Sequence, residues 1–123
     1  MYNVDENTNI EDLKQTIKSF CEQRNWDQFH NPKDLAIGII TEAAELLEIF
    51  RFKSENEITG MLQNPDKREQ IAEELVDIFY FVLRFSQKYE ISLSEELRKK
   101  MKKNEMKYPL EKAKGSNKKY TEY

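Results

Sequence analysis

Apolar residues recur at every third or fourth position along four segments of this chain, and this spacing restricts the fold more than any other feature. A helix repeats every 3.6 residues, so the pattern places apolar side chains on one face, as with Ile10, Leu13, Ile17 and Phe20. We find no convincing strand, and the 123 residues include only three Gly and three Pro. The sequence therefore predicts an all-α fold.

Capping residues predict where these helices begin and end. Asn9 suits the N-cap of the first helix, and Asn-Pro pairs open the second and third. The fourth begins after Ser92 or Ser94. The predicted helices span about 10–25, 32–51, 65–89 and 93–108. Four helices with two long central ones predict a four-to-five-helix bundle in a single domain over residues 1–123, and their apolar surface predicts a homo-oligomer.

Three segments lack a helical period. Residues 53–64 have loop character, residues 1–8 are polar and expected to fray, and residues 109–123 form a basic tail.

Cys21 is the sole cysteine, so no intrachain disulfide can form, which favours the cytoplasm. Its helical spacing predicts a buried side chain rather than a reactive thiol. No run approaches the ~18 apolar residues that cross a bilayer, and no signal-peptide pattern is seen, so we expect no membrane partner.

Glutamates of the second predicted helix intrude on its apolar face. On a helical projection Glu42 falls between Leu35 and Ile49, and Glu45 lies about 60° further round. Glu48 points away from this face. Two of the three glutamates therefore border or enter the apolar arc.

The third predicted helix repeats this arrangement. Its buried stripe is predicted to contain Ile71, Leu75, Ile78, Val82 and Phe85. Glu74 lies at the edge of the stripe, and Asp77 lies about 60° beyond Phe81. Glu73 points away, near Arg84, where a weak surface ion pair is expected.

The motifs E-x-x-E and E-x-x-D on neighbouring antiparallel helices would bring four carboxylates together. Like charges ~4 Å apart repel by roughly 4 kcal/mol at an effective dielectric near 20. Raised pKa values or a cation must relieve this repulsion, and oxygen ligands suit Mg²⁺, with Mn²⁺ as the alternative. Ordinary solvated carboxylates are the other interpretation. A di-iron bundle needs E-x-x-H motifs, whereas His30 is the sole histidine and lies in no such motif.

Charge is sorted along the chain. Residues 40–77 hold ten acids and four bases, whereas residues 98–119 hold ten bases and two acids. Basic side chains beside a metal are what a polyphosphate needs, although a solvated basic helix or nucleic-acid binding would give the same run. No nucleic-acid motif accompanies it. Trp26, Phe29 and Phe52 flank the second helix, where they either stack on a nucleobase or pack in the core.

Three stretches resemble a known family. They are "RNWDQFHNPKDLAIGIITEAAELLEIFRFKSE", "EELVDIFYFVLRF" and "KKNEMKYPLEKAKGSNKKYTEY". They are similar to the all-α MazG-like nucleotide pyrophosphohydrolases, specifically the dCTP pyrophosphatase branch, from about residue 10 to the C-terminus. The resemblance implies a subunit that dimerises, often into a dimer of dimers. It also implies Mg²⁺-dependent cleavage of a (deoxy)nucleoside triphosphate, such as dCTP or a modified dCTP, to monophosphate and pyrophosphate, which cleans the nucleotide pool.

The resemblance also assigns residues by position. The implied metal ligands are Glu42, Glu45, Glu74 and Asp77, and the implied substrate-binding residues are Trp26, His30, Lys100, Asn104, Lys107, Tyr108, Lys119 and Tyr120. Three positions depart from the family pattern. Phe52 replaces a stacking tryptophan, Phe81 a tyrosine near the base, and Ile17 a histidine. Stacking survives these changes, whereas hydrogen bonding to the base is reduced.

The mechanism that we expect is in-line attack by water activated by metal, with Glu42 or Glu45 as the general base and no covalent intermediate. The alternative is a non-catalytic helical module that binds nucleotide or nucleic acid.

Overall fold

The computed structural model describes residues 4–123 and contains helices and no strand within that range. The helices are α1 (Ile10–Gln23), α2 (Pro32–Phe50), α3 (Glu55–Gln63), α4 (Pro65–Lys88), α5 (Leu93–Lys107) and α6 (Leu110–Ala113). Short 3-10 turns occupy Val4–Asn7, Asp27–Phe29 and Tyr120–Glu122. Along residues 4–123 no helix is both long and apolar enough to cross a membrane. The all-α prediction is confirmed.

Side-chain caps fix the helix starts at the predicted residues. The side-chain oxygens of Asn9, Asn31 and Asn64 each accept one or two backbone N–H groups at 2.8–3.2 Å. Such bonds satisfy N–H groups that the first turn leaves without intrahelical partners. In α5 the Oγ of Ser92 accepts from the backbone 3.4 Å away, so Ser92 rather than Ser94 is the cap.

The prediction of a loop over residues 53–64 is wrong, because α3 occupies most of that segment. Ser54 caps α3 by accepting the backbone N–H of Glu57 at 3.2 Å. Gly60 lies inside the helix, where a glycine costs only about 1 kcal/mol relative to alanine. α3 contacts α4, and its side chains Ile58 and Met61 are half-buried.

Both chain ends contain more helical structure than the sequence indicates. Of the predicted frayed end, residues 1–3 lie outside the described residues, and Val4–Asn7 forms a 3-10 turn. The basic tail contains α6 and the 3-10 turn Tyr120–Glu122. Pro109 lies between α5 and α6. Proline lacks the N–H that a continuing helix needs, so α5 ends before it, and proline suits the start of a new helix.

The chain divides into two compact units, of which the first ends at Glu90 and the second covers Ile91–Tyr123. The organisation as a single domain stays a prediction. In the first unit α4 contacts α1, α2 and α3. The buried apolar side chains there are Cys21, Leu35 and Leu83, so the prediction of a buried Cys21 is confirmed.

The predicted stripe of α4 needs two corrections. Leu75 is 57% exposed rather than buried, whereas Leu83 and Ser86, outside the predicted stripe, are buried. The reason is that α4 packs against three helices, so a single apolar arc does not describe its environment. Arg84 is also buried, which excludes the expected surface ion pair with Glu73.

Candidate active site

A close approach between α2 and α4 positions the candidate site. A Cβ added to Gly38 would lie 2.5 Å from the ring of Phe81, so only glycine fits there without a shift. Residues four and seven places along a helix share its face, which aligns Gly38 with Glu42 and Glu45, and Phe81 with Glu74. Because Gly38 meets Phe81 while Glu45 meets Glu74, the two helices run antiparallel at this contact.

Three carboxylates gather on the facing surfaces of α2 and α4. One oxygen each from Glu42, Glu45 and Glu74 lies within 4.8 Å of the other two. Glu42 and Glu74 are half-buried, and each has an Oε2 atom that is buried without a hydrogen-bond partner. An unpaired buried charge is costly, so this arrangement needs protons or a cation.

The crowding changes the ionisation of two of these groups. Burial raises the pKa of Glu42 to about 7, and its hydrogen bond to Glu45 and the charges of Glu45, Asp77 and Glu74 act in the same direction. Burial also raises the pKa of Glu74, helped by the hydrogen bond to Glu45 and by the charges of Glu45 and Asp77, and opposed by a hydrogen bond to Glu42. The cluster therefore retains protons that isolated glutamates would lose.

The fourth predicted carboxylate, Asp77, lies outside this three-oxygen cluster. Its side chain is exposed. Its charge nevertheless raises the pKa values of both Glu42 and Glu74, which places it within electrostatic range of them. The structure thus brings together three of the four predicted carboxylates and keeps the fourth nearby, three residues after Glu74 on α4.

The donor set fits a hard divalent cation. All the clustered ligand atoms are carboxylate oxygens, which Mg²⁺ and Mn²⁺ prefer, and the two buried oxygens without partners are free to bind an ion. His30 offers no support for a di-iron bundle, because its Nδ1 accepts a hydrogen bond from Arg84 and the residue lies outside the cluster. Glu42, Glu45 and Glu74 are the residues that would hold the ion.

Because the fold raises the pKa of Glu42 from 4.5 to about 7, this group should destabilise the metal-free protein as the pH rises. Between those pH values the folded chain binds more protons than the unfolded chain, so the free energy of unfolding falls with increasing pH. The stabilising contribution is complete below pH 4.5 and lost above about 7. Melting temperatures in EDTA should show this loss in wild type and a smaller loss in Glu42→Gln, where only Glu74 keeps a raised pKa. Identical pH profiles would contradict the assignment.

A groove adjoins the carboxylates on the side away from Phe81. It has a volume of about 380 Å³ and is lined by Glu45, Glu48, Ile49, Lys53, Lys67, Gln70 and Glu74. Lys53 and Lys67 are positively charged and line the same groove as Glu45 and Glu74. Lys53 follows α2, and Lys67 lies in the first turn of α4. The groove therefore joins cationic side chains to the candidate metal ligands.

On the side of Phe81, aromatic rings form a connected series. The ring centroids of Phe81 and Tyr80 lie 5.0 Å apart, those of Tyr80 and Phe20 6.3 Å, and those of Phe20 and Trp26 5.5 Å. Trp26 in turn lies 6.3 Å from the ring of His30. The predicted residues Trp26, His30 and Phe81 therefore belong to one aromatic group that also includes Phe20 and Tyr80.

Arg84 holds the loop that carries Trp26 and His30. Its side chain is 1% exposed; its Nε donates to His30 Nδ1 at 2.9 Å, and its Nη2 forms an ion pair with Asp27. Lys88 also donates to the carbonyl oxygens of Asp27 and His30. These contacts attach residues 27–30 to α4.

Two other departures from the family pattern occupy different surroundings. Phe52 is 90% exposed, lies under the guanidinium of Arg51 at 4.6 Å, and adopts φ 64°. A bulky residue in the left-handed region is strained, and such strain concentrates at functional segments. Ile17 lines a small apolar cavity of about 190 Å³ with Val76 and Tyr80 among its neighbours, so it contributes packing surface only.

The second unit brings together part of its predicted set. Lys107 Nζ lies 5.0 Å from the ring centroid of Tyr120, and the rings of Tyr108 and Tyr120 lie 5.8 Å apart. Lys119, next to Tyr120, donates its backbone N–H to Glu122. Lys100 and Asn104 lie on α5 at the spacing that shares one helix face with Lys107. The tail thus folds back on the end of α5.

Sequence reasoning missed Arg84 and the groove lysines. The signal for Arg84 was its place in the apolar run "FVLRF", since an arginine surrounded by core residues needs a buried partner. Asp27 and His30 are those partners, in the motif W-D-Q-F-H. Lys53 and Lys67 are separated by α3, so only the fold shows that they line one groove.

Comparisons with known proteins agree on one family. The sequence model of the MazG-like family matches residues 37–123. The dCTP pyrophosphatase 1 proteins of Mus musculus and Homo sapiens are each 31% identical over 113 residues, which cover 92% of this chain and 66% of the relative. The chain thus spans just under two thirds of their length. A pyrophosphatase of known structure from Archaeoglobus fulgidus is 37% identical, with a TM-score of 0.76 over 81% of this chain and 92% of that chain.

Proposed function

Because the chain belongs to the MazG-like family, we propose that it hydrolyses a (deoxy)nucleoside triphosphate to the monophosphate and pyrophosphate with Mg²⁺. The observation that carries this proposal is the cluster of Glu42, Glu45 and Glu74, in which two buried oxygens have no partner. The names of the relatives suggest dCTP as the substrate, and we extend the proposal to a modified dCTP. The reaction cleans the nucleotide pool in the cytoplasm.

The order of features along α2 and α4 supports a direction for the substrate. Aromatic rings lie at the Phe81 end, the carboxylates lie in the middle, and Lys53 and Lys67 line the groove at the other end. A nucleoside triphosphate has the same order of base, reacting phosphates and leaving group. The base stacks at Trp26 and Phe81, and the leaving pyrophosphate occupies the lysine groove, where positive charge stabilises it.

The carboxylates divide the chemical work. Bound Mg²⁺ would supply Lewis-acid polarisation of the phosphate oxygens and would make a water molecule more acidic. Glu42, Glu45 and Glu74, with Asp77 nearby, would hold the ion, and Glu42 or Glu45 would accept the proton of the attacking water. Glu45 is exposed and lines the groove, so a proton accepted there can pass to solvent. The α–β phosphoanhydride bond breaks as the water oxygen bonds to phosphorus, and no covalent enzyme intermediate forms.

By the family resemblance we also assign Lys100, Asn104, Lys107, Tyr108, Lys119 and Tyr120 to the triphosphate, and Phe52 of a neighbouring copy to the base. A homodimer or a dimer of dimers covers the apolar side chains that the subunit leaves open. Ile40, Leu47 and Val76 are each more than half exposed, which is the kind of surface that oligomers bury.

Product analysis tests the reaction. Wild-type protein with dCTP and Mg²⁺ should give dCMP and pyrophosphate in equal amounts, and EDTA should abolish the turnover. A panel of ordinary and 5-modified nucleoside triphosphates then ranks the base preference by kcat/KM. Release of dCDP and orthophosphate would contradict cleavage between the α- and β-phosphates.

Thermal stability separates the enzyme from a non-catalytic binding module. Mg²⁺ and a non-hydrolysable dCTP analogue should together raise the melting temperature by more than the sum of their separate effects, because they share contacts. An oligonucleotide that alone stabilises the protein, with the effect fading in salt, would favour nucleic-acid binding instead.

A further inference from the structure

We propose that Arg84 is a positioning residue that holds His30 as a fixed N–H donor for the acceptor edge of a nucleobase. The identity of the ligand rests on the proposed function, whereas the state of His30 does not. Arg84 touches no substrate in this account. It acts through the imidazole ring, which it orients and whose tautomer it selects.

The tautomer follows from the chemistry of the two side chains. A guanidinium has only donors, so at 2.9 Å from Arg84 Nε the Nδ1 atom of His30 must be the acceptor. A neutral imidazole whose Nδ1 accepts carries its proton on Nε2. Burial lowers the pKa of His30, and the cations of Arg84 and Lys88 act in the same direction. Asp27 and Asp34 oppose this effect more weakly. Protonation of Nδ1 would also break the bond from Arg84.

The orientation is fixed from both sides of the residue. The carbonyl oxygen of His30 accepts hydrogen bonds from Lys88 and from the hydroxyl of Tyr89 at 3.1 Å, so the backbone is held while Arg84 holds the ring. A ring flip would place a carbon against Arg84 Nε and lose that bond. Within residues 4–123, Nε2 of His30 donates to no protein acceptor, which leaves this N–H available to a ligand.

The neighbouring side chain indicates the kind of ligand. Trp26 lies 6.3 Å from His30 with an interplanar angle of 63°, and 37% of Trp26 is exposed. A flat ring that stacks on Trp26 would present its edge to the imidazole N–H. Carbonyl oxygens and unprotonated ring nitrogens of a nucleobase are acceptors of this kind. This donor adds base recognition that the positions of Phe81 and Ile17 do not provide.

Nitrogen-15 NMR of histidine-labelled protein tests the tautomer directly, since His30 is the sole histidine. Wild type should show one neutral imidazole with its proton on Nε2 at about pH 8. Arg84→Met should show both tautomers and should titrate at a higher pH than wild type, because one of the cations that lower the pKa of His30 is gone. Asp27→Asn is the matched control, because it removes the ion pair and leaves the bond from Arg84 to His30. It should keep the wild-type spectrum.

Kinetics test the link to the base. Arg84→Met should raise KM for dCTP about five- to tenfold, the effect of one lost hydrogen bond, with kcat within about twofold. The inhibition constant of an abasic deoxyribose triphosphate should stay within about twofold, because that analogue has no base. An equal loss for both ligands would show general loosening of the site and would overturn the proposal, as would an Nδ1–H tautomer in wild type.

A titration of wild type keeps the test decisive if Arg84→Met fails to fold. Addition of dCMP should shift the Nε2–H resonance of His30, whereas inorganic pyrophosphate should leave it unchanged. If the protein hydrolyses dCTP but this resonance does not shift when dCMP is added, the role given to Arg84 and His30 is wrong and the proposed function still holds. A protein whose resonance responds to dCMP but that hydrolyses no nucleoside triphosphate would overturn the proposed function and leave the role of Arg84 standing.

Discussion

Replacing Glu74 by Gln is expected to lower kcat/KM at least about a hundredfold while making the metal-free protein more stable. The loss of activity follows because a metal ligand supplies several kcal/mol of transition-state stabilisation, and each 1.4 kcal/mol is a factor of ten. The gain in stability follows because burial and then the neighbouring carboxylates raise the pKa of Glu74, and a neutral amide avoids both the buried charge and the repulsion. An amide N–H can also donate to a neighbouring carboxylate of the cluster.

Two measurements follow the expected loss of activity and gain in stability of Glu74→Gln. Steady-state hydrolysis of dCTP gives the activity, and melting temperatures with EDTA and with Mg²⁺ give the stability of each state. Wild type should gain stability with Mg²⁺, whereas Glu74→Gln should gain little, since ion binding and folding are coupled. Circular dichroism confirms that the variant keeps its helices.

Glu73→Gln is the matched control for this experiment. Glu73 directly precedes Glu74 on α4 and is exposed outside the carboxylate cluster. Its substitution removes the same charge from the chain as Glu74→Gln. Its activity and its response to Mg²⁺ should stay within about twofold of wild type, as surface substitutions usually have small effects. If Glu73→Gln lost as much activity as Glu74→Gln, net charge rather than metal ligation would explain the result. Full activity of Glu74→Gln would remove Glu74 from the metal site.

Local periodicity is enough to predict which face of a helix a residue occupies, and the faces of the candidate glutamates could therefore be predicted from the sequence. Glu42 and Glu74 were expected beside apolar neighbours because their positions depend only on the helix repeat and on two Asn-Pro starts. Both side chains are half-buried on the surfaces where α2 and α4 meet. The antiparallel pairing expected from the sequence for these two helices holds, although α3 lies between them in the chain.

Contacts between residues distant in sequence could not be read in this way. Arg84 and His30 are 54 positions apart, and their hydrogen bond exists only because the loop after α1 folds against α4. The helical projection put Arg84 on the outside, since it treated α4 as packed along one arc. The same limit applies to Asp77, whose place on the correct side of α4 does not bring its oxygens into the cluster.

Helix propensity also misled at α3, where Gly60 and polar residues suggested a loop. The cap at Ser54 and the contact with α4 stabilise the helix by more than the glycine destabilises it. Tertiary contacts of this type commonly override a weak local preference. The two glycines inside helices of the first unit, Gly38 and Gly60, therefore have different roles, and substitution distinguishes them.

Gly38→Ala is expected to lower the free energy of unfolding by about 1–3 kcal/mol, because the new methyl group would overlap the ring of Phe81. Either the ring moves or α2 and α4 separate. The second response draws Glu42 and Glu45 away from Glu74, so the apparent affinity for Mg²⁺ should fall with the stability. Urea unfolding with an unchanged m-value measures the first effect, and Mg²⁺ titration of melting temperature measures the second.

Gly60→Ala supplies the control of opposite sign. No atom lies within 4 Å of a Cβ built at Gly60, so alanine should stabilise α3 by about 0.5–1 kcal/mol through its better helix propensity. Its Mg²⁺ affinity should match wild type. Adding Phe81→Leu to Gly38→Ala should then cost less than the sum of the two single changes, because leucine leaves room for the new methyl group and that methyl group fills part of the space left by the ring. Strict additivity of these two substitutions would mean that close packing of Phe81 on Gly38 does not set the distance between the carboxylates.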